Sequence, residues 1–234
     1  MNTERPYVIC HMLISREGRA AGKWLGDEAC AGACREYYRI HGDFYADAFA
    51  CGRVTMDESF VHGHAADLSA YEGLTCDRED YVHGKADHYA VAFDRKGRLG
   101  WQDNYIHDDD PGYDQCHVIE VLCSDMVSDA YLLWLREKGI SYIFGGETEL
   151  DLETVLEKLY GLFDIEVLLL EGGPLINEAF EKAGLIDELS LVQAPVDADE
   201  GDYLFRTPGI SGYRGFDRAE LGDGIVYLNF KKLR

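Results

Sequence analysis

Residues 171–177 read Glu-Gly-Gly-Pro-Leu-Ile-Asn and join an apolar run, Val167 to Leu170, to a stretch with helical spacing. Four apolar residues are short enough for a buried strand. Pro174 suits the first turn of a helix, where its missing N–H is no loss. Leu175, Ile176, Ala179, Phe180 and Ala183 fall at helical spacing, and Gly184 stands where a glycine cap belongs. A strand, a glycine pair and a helix start bring bare backbone N–H groups and a positive helix end to one point. That arrangement either holds an anion such as phosphate or is a tight turn with no ligand, and the local pattern leaves both open. Two further glycine-marked strand ends occur: Gly52-Arg53-Val54-Thr55 and Gly145-Gly146. Arg53 is either a guanidinium fork for an anion or an exposed arginine at a helix start. Glu171, at a strand end, and Glu17, in the turn Ser15-Arg16-Glu17-Gly18, are further candidate carboxylates, and on its own Glu171 reads as readily as a solvated strand end. His11 reads as a buried histidine satisfied by its neighbours in preference to a catalytic one. Asp108-Asp109-Asp110 reads as a solvated charge run in preference to a cation site, and no metal is expected.

The elements that position these residues alternate. Strands are expected at Tyr7–Leu13, Ala46–Cys51, Tyr89–Asp94, His117–Cys123, Tyr142–Phe144, Val167–Leu170 and Glu188–Pro195. A last, half-exposed strand is expected at Gly224–Lys231, after an acidic, glycine-containing loop. Helices are expected from Asp27 to Ile40, from the Ser124 or Ser128 cap to Gly139, from Asp151 to Leu162, and from Pro174. Such alternation predicts an α/β fold with a mostly parallel central sheet, helices on both faces and an antiparallel C-terminal edge strand. Residues 61–88 and 95–115 are polar and aperiodic and are expected to be surface insertions. With no linker and no repeat, residues 1–234 are expected to form a single domain. Ligands of open parallel sheets bind at the carboxyl ends of strands, so the three glycine-marked ends are expected to share one cleft.

Composition narrows the function. The 234 residues carry a net charge of −22, which disfavours nucleic acid and anionic membranes as partners. No apolar run approaches the roughly 20 residues of a membrane span. The N-terminus lacks a basic region followed by an apolar stretch, so no signal peptide is expected. Seven cysteines without a C-x-x-C pair point to free thiols and a reducing, cytoplasmic setting. There is no G-x-G-x-x-G, no G-x-x-x-x-G-K-[ST], no G-x-S-x-G and no zinc-deaminase H-x-E with P-C-x-x-C.

Two blocks resemble known families. Gly52-Arg53-Val54-Thr55-Met56-Asp57-Glu58-Ser59 is similar to the G-R-x-T-x-x-S stretch of dihydrofolate reductases. Glu171 to Asn177, followed by Gly184-Leu185-Ile186-Asp187-Glu188-Leu189, resembles the E-G-G-P-x-L-N…G-L-[VI]-D-E-L signature of the pyrimidine reductases of riboflavin biosynthesis, which share the dihydrofolate-reductase fold. Arg5-Pro6-Tyr7-Val8 and the Ser15 to Gly18 turn resemble that family's R-P-Y-V…S-x-D-G, with Glu17 standing where the family has Asp. The likeness spans residues 5–60 and 117–195, and residues 61–115 align with nothing in it.

The resemblance implies NADPH as cofactor and a phosphorylated pyrimidine ribosylamine as substrate, with hydride passing to ribose C1′ to give a ribityl chain. It implies that Arg53 grips the 2′-phosphate and Thr55 the pyrophosphate. Gly172 and Gly173 would let the cofactor approach the backbone, Gly52 would belong to the same cofactor site, and Gly145 would serve an adjoining cofactor contact. Pro174, Leu175 and Ile176 would open the helix facing the diphosphate. Ser15, Glu17 and Glu171 would contact the substrate ribose, Glu17 either orienting hydroxyls or supplying a proton. A homodimer is also implied. The alternatives are a reductase of the same fold acting on another small substrate, pterin or dihydrofolate-like, and a non-catalytic binding protein on this fold.

Overall fold

A computed structural model describes residues 4–205 and 212–233. Met1–Thr3, at the start of the stretch read for a leader, and residues 206–211 of the acidic loop lie outside the described residues. In chain order the elements are β1 (Tyr7–Ile14), α1 (Ala31–Asp43), β2 (Ala48–Gly52), α2 (Arg53–Met56), β3 (Tyr89–Phe93) and β4 (His117–Cys123). There follow α3 (Asp129–Lys138), β5 (Ser141–Gly146), α4 (Leu152–Phe163), β6 (Val167–Leu170), α5 (Pro174–Lys182), β7 (Glu188–Gln193), β8 (Tyr213–Gly222) and β9 (Ile225–Lys232). The fold is the α/β, dihydrofolate-reductase-like class expected, with a mostly parallel sheet and antiparallel pairing at the C-terminus.

The chain divides into two compact units, with the division falling inside β6. The first holds residues 47–168 and the segment before Tyr7. Its strands run β5-β4-β3-β2, all parallel. β3 is buried along its whole length, which is why it reads as an unbroken apolar run and not as an alternation. Ser128 caps α3 by accepting from the Tyr131 amide, and Gly139 ends it in the left-handed region at φ 69°. Asp151 caps α4 by accepting from the Glu153 and Thr154 amides.

Both expected insertions lie in this unit and are pinned to it. In the 61–88 segment, Tyr81 forms an antiparallel bridge to Tyr142. Arg78 reaches the Val127 carbonyl at 3.1 Å and the Asp129 carboxylate at 2.6 Å. Lys158 pairs with Asp80 at 2.8 Å. Residues 95–115 are more than a surface loop, because Leu99, Trp101, Ile106 and Tyr113 are buried. Trp101 Nε1 donates to Oε1 of the fully buried Glu120 at 2.5 Å. These apolar side chains are spaced too irregularly to show a period, so the stretch read as polar although it supplies core. In the Asp108–Asp110 turn, the Asp108 carboxylate accepts from the Asp110 amide and the Asp110 carboxylate from the Gly112 amide, each at 2.8 Å. Among the described residues no cluster of three or more His, Cys, Asp or Glu is arranged for a metal.

The second unit holds residues 7–46 and 169–234. β1 and β7 are parallel, β9 is antiparallel to β7, and β8 is antiparallel to β9 at the outside. α1 packs on a core of Leu13, Ala33, Ile40, Val192, Val196 and Ile225. The outer edge is therefore made by β8, a strand hidden within the stretch that reads as a loop. Most of its side chains are exposed, so no apolar alternation marks it, and its pairing with β9 holds it in place. α5 ends as the sequence predicts. Gly184 takes φ 68°, its N–H reaches the Glu181 carbonyl, and the Leu185 N–H reaches back to Phe180. These two bonds are the Schellman pair. No helix among the described residues is long and apolar enough to cross a membrane.

Candidate active site

In the second unit, β6 delivers Glu171 directly before the glycine pair. The Glu171 side chain is only 3% exposed, and its Oε1 lies 2.7 Å from Nδ1 of His41. His41 comes from the last turn of α1 and is also buried. Gly172 takes φ 95°, a conformation that favours glycine, and a Cβ there would meet Met12 at 3.2 Å. Gly173 is the N-cap of α5 and Pro174 its first residue, as expected. Leu175 is 63% exposed, whereas Ile176 is buried. Asn177 is fully buried, and neither atom of its amide finds a partner among the described residues. Its Nδ2 would lie 3.6 Å from a Cβ placed on Gly172.

Ser15 and Glu17 belong to the same unit and are brought together. The Ser15 hydroxyl donates to Glu17 Oε2 at 2.9 Å, and the Ala198 amide donates to the same oxygen at 2.8 Å. The Ala198 amide, and after it the Ser15 hydroxyl, hold the Glu17 carboxyl below its ordinary range. A carboxylate kept ionised in this way suits an acceptor of hydroxyl groups better than a proton donor. His11 is satisfied as expected. Its Nε2 faces the Tyr37 carbonyl at 3.0 Å and its Nδ1 faces the Ser190 hydroxyl at 2.9 Å. Burial lowers its pKa, and the opposing influence of the Glu171 charge is the smaller.

In the first unit, Gly52 closes β2 and is the N-cap of α2, with no side chain capping the helix. Arg53 follows it, 3.7 Å from Asp57 one turn on. Thr55 is half-buried in the same turn. Gly145 lies in β5, and β3 and β4 separate β5 from β2. At about 4.8 Å per strand, the two strands are about 14 Å apart. A Cβ on Gly145 would meet Val155 at 2.6 Å and Leu150 at 2.8 Å. Close packing of β5 against α4 therefore requires the glycine, without any ligand.

The helix starts divide into two kinds. α3 and α4 have side-chain caps and an acidic residue, Asp129 or Glu153, in the first turn. α1, α2 and α5 have neither, but α1 continues a short helical turn that Asp27 caps, and α2 begins on an arginine. In a chain with 44 acidic and 22 basic residues, the first turns of α2 and α5 carry no acidic residue and their N–H groups have no side-chain cap, which favours an anion there.

Residues 120–212 match the family model of the RibD C-terminal domain. No curated protein matches the chain. Among solved structures, RibD of Acinetobacter baumannii is similar at 20% identity and TM-score 0.66, covering 100% of this chain and 59% of that one. This chain thus spans about three fifths of that RibD. A pyrimidine reductase-like protein from Corynebacterium diphtheriae is similar at 15% identity and TM-score 0.68, covering 98% and 92%. The riboflavin biosynthesis reductase Rib7 of Saccharomyces cerevisiae is similar at 15% identity and TM-score 0.60, covering 100% and 92%. At these identities the likenesses establish the fold. The RibD segment contains Gly145, Glu171, the glycine pair, the start of α5 and Asn177. Ser15, Glu17, His41, Gly52, Arg53 and Thr55 lie outside it.

Sequence reading singled out neither His41 nor the isolation of Asn177. His41 stands 130 positions from its partner, and no local pattern connects them. Asn177 was visible as the last residue of the glycine-proline block, but its isolation shows only in three dimensions.

Proposed function

We propose that the chain is an NADPH-dependent reductase of the riboflavin-pathway type. It would act on a phosphorylated pyrimidine ribosylamine, with residues 1–234 serving as one reductase domain in a cytoplasmic homodimer. The observation that carries this reading is that a glycine without a capping side chain opens both α2 and α5, followed by Arg53 in one and Pro174 in the other, in a strongly acidic chain.

The residues present fit the cofactor's phosphates. Arg53 supplies a planar guanidinium for the 2′-phosphate, and Gly52 leaves the first amides of α2 uncapped. Thr55 supplies a hydroxyl. In the other unit Gly172 and Gly173 carry no side chain to bar a diphosphate from the first turn of α5, with Pro174, Leu175 and Ile176 forming that turn. Bound NADPH supplies the hydride. Ser15, Glu17 and Glu171 bind and orient ribose hydroxyls, the two carboxylates as acceptors. Gly145 is left to packing.

Titration of the purified protein with NADPH, followed by nucleotide fluorescence, tests the reading. Saturable binding at micromolar concentration with a preference over NADH supports it. Absence of binding to either nucleotide overturns it.

A further inference from the structure

We propose that His41 is a positioning residue for Glu171, fixing the orientation and the charge of the carboxylate assigned above to substrate hydroxyls. The inference rests on that reading of Glu171, but the pairing can be tested apart from it. A carboxylate with a side chain 3% exposed is costly to keep ionised without a donor. His41 Nδ1 stands 2.7 Å from its Oε1, a distance suited to a charge-assisted hydrogen bond. An ionised carboxylate only accepts, so Nδ1 carries the proton.

The end of α1 suits that role. His41 occupies its last turn, where the helix dipole favours a positive imidazole. The second buried imidazole of this unit, His11, is committed elsewhere. The Tyr37 carbonyl requires the proton on Nε2, which leaves Nδ1 to accept from the Ser190 hydroxyl. His11 senses the Glu171 charge but is bonded to other groups, whereas His41 addresses the carboxylate directly. The imidazole thus holds the Glu171 carboxylate plane in one orientation and keeps it an acceptor. Removing the imidazole takes away a charge-assisted bond that favours the ionised, accepting form of Glu171.

Two arms test this. Nitrogen-15 NMR of the imidazoles needs no turnover. It is expected to show the His41 proton on Nδ1 and a His41 pKa that falls by about one unit or more in Glu171→Gln, the scale of losing a neighbouring opposite charge. An Nδ1 without a proton, or a His41 titration unchanged in Glu171→Gln, overturns the proposal. In NADPH turnover, His41→Leu is expected to raise KM for the pyrimidine substrate about tenfold or more, with a smaller change in kcat, the scale of one charged hydrogen bond. His41→Asn, whose amide donates from the same position, is expected to recover most of the loss. Wild-type KM in His41→Leu overturns the proposal. If wild-type protein shows no turnover, the reductase reading fails and the NMR arm alone decides the pairing, as it does if His41→Leu does not fold.

Discussion

The Arg53 guanidinium stands 3.7 Å from the Asp57 carboxylate, one turn along the helical segment that Arg53 opens. An arginine at a helix start opposes the dipole, and a pair at that distance with both side chains about one third exposed offsets little of this. The pair thus contributes little to the fold. Arg53→Ala should weaken NADPH binding by about 1.5–3 kcal/mol, the range for a charged hydrogen bond, while thermal stability changes by less than about 0.5 kcal/mol. Parallel nucleotide titration and thermal unfolding check both halves, and equal NADPH affinity in the variant would remove Arg53 from the site.

Asn177 makes the opposite kind of prediction. A buried amide with neither atom partnered is a burden that an apolar side chain of similar shape does not carry. Asn177→Leu should stabilise the protein by about 1–3 kcal/mol, read as a higher denaturant midpoint at constant slope. A lower midpoint would mean that the amide already has a partner, such as an internal water.

His11 ties stability to pH. Its folded pKa lies below the ordinary value because of burial, with the Glu171 charge opposing and the His41 charge reinforcing the shift. Below about pH 6.5 the unfolded chain binds a proton that the folded chain refuses. Its contribution is therefore complete above that pH and is lost as pH falls through the folded value. The slope from one such group is at most about 1.4 kcal/mol per pH unit. His11→Gln should flatten the loss of stability between pH 7 and pH 5 by up to that amount. Denaturant titrations across this range decide it, and identical slopes would show that His11 does not titrate differently on unfolding.

Gly184 tests the close of the glycine-proline unit. Gly184→Ala places a Cβ on a residue at φ 68° and should cost about 1–2 kcal/mol of stability. Thermal unfolding of the variant measures it, and an unchanged midpoint would show that the cap relaxes without strain.

What the sequence made legible follows from where the signals are local. β6 and β4 coincide with their apolar runs, and Asp27, Ser128, Asp151 and Gly184 act at the helix ends their types suggest. Each signal needs only a few neighbouring residues. β8 was hidden because an exposed edge strand carries no alternation and exists through its pairing with β9. The 95–115 stretch concealed Leu99, Trp101, Ile106 and Tyr113 because irregular backbone can bury side chains at any spacing. Within the candidate site, the motif marked Glu171 and the start of α5 in advance, whereas the contact with His41 required the fold to bring residues 130 positions apart within 2.7 Å. Gly145 shows the converse, since a glycine after an apolar run looks the same whether a cofactor or a neighbouring valine requires it.

The most direct test of the whole account is equilibrium titration of the purified wild-type protein with NADPH and, separately, NADH. The account predicts saturable, micromolar binding of NADPH and clearly weaker binding of NADH. Equal affinity would contradict the role given to Arg53, and failure to bind either nucleotide would contradict the reductase reading itself.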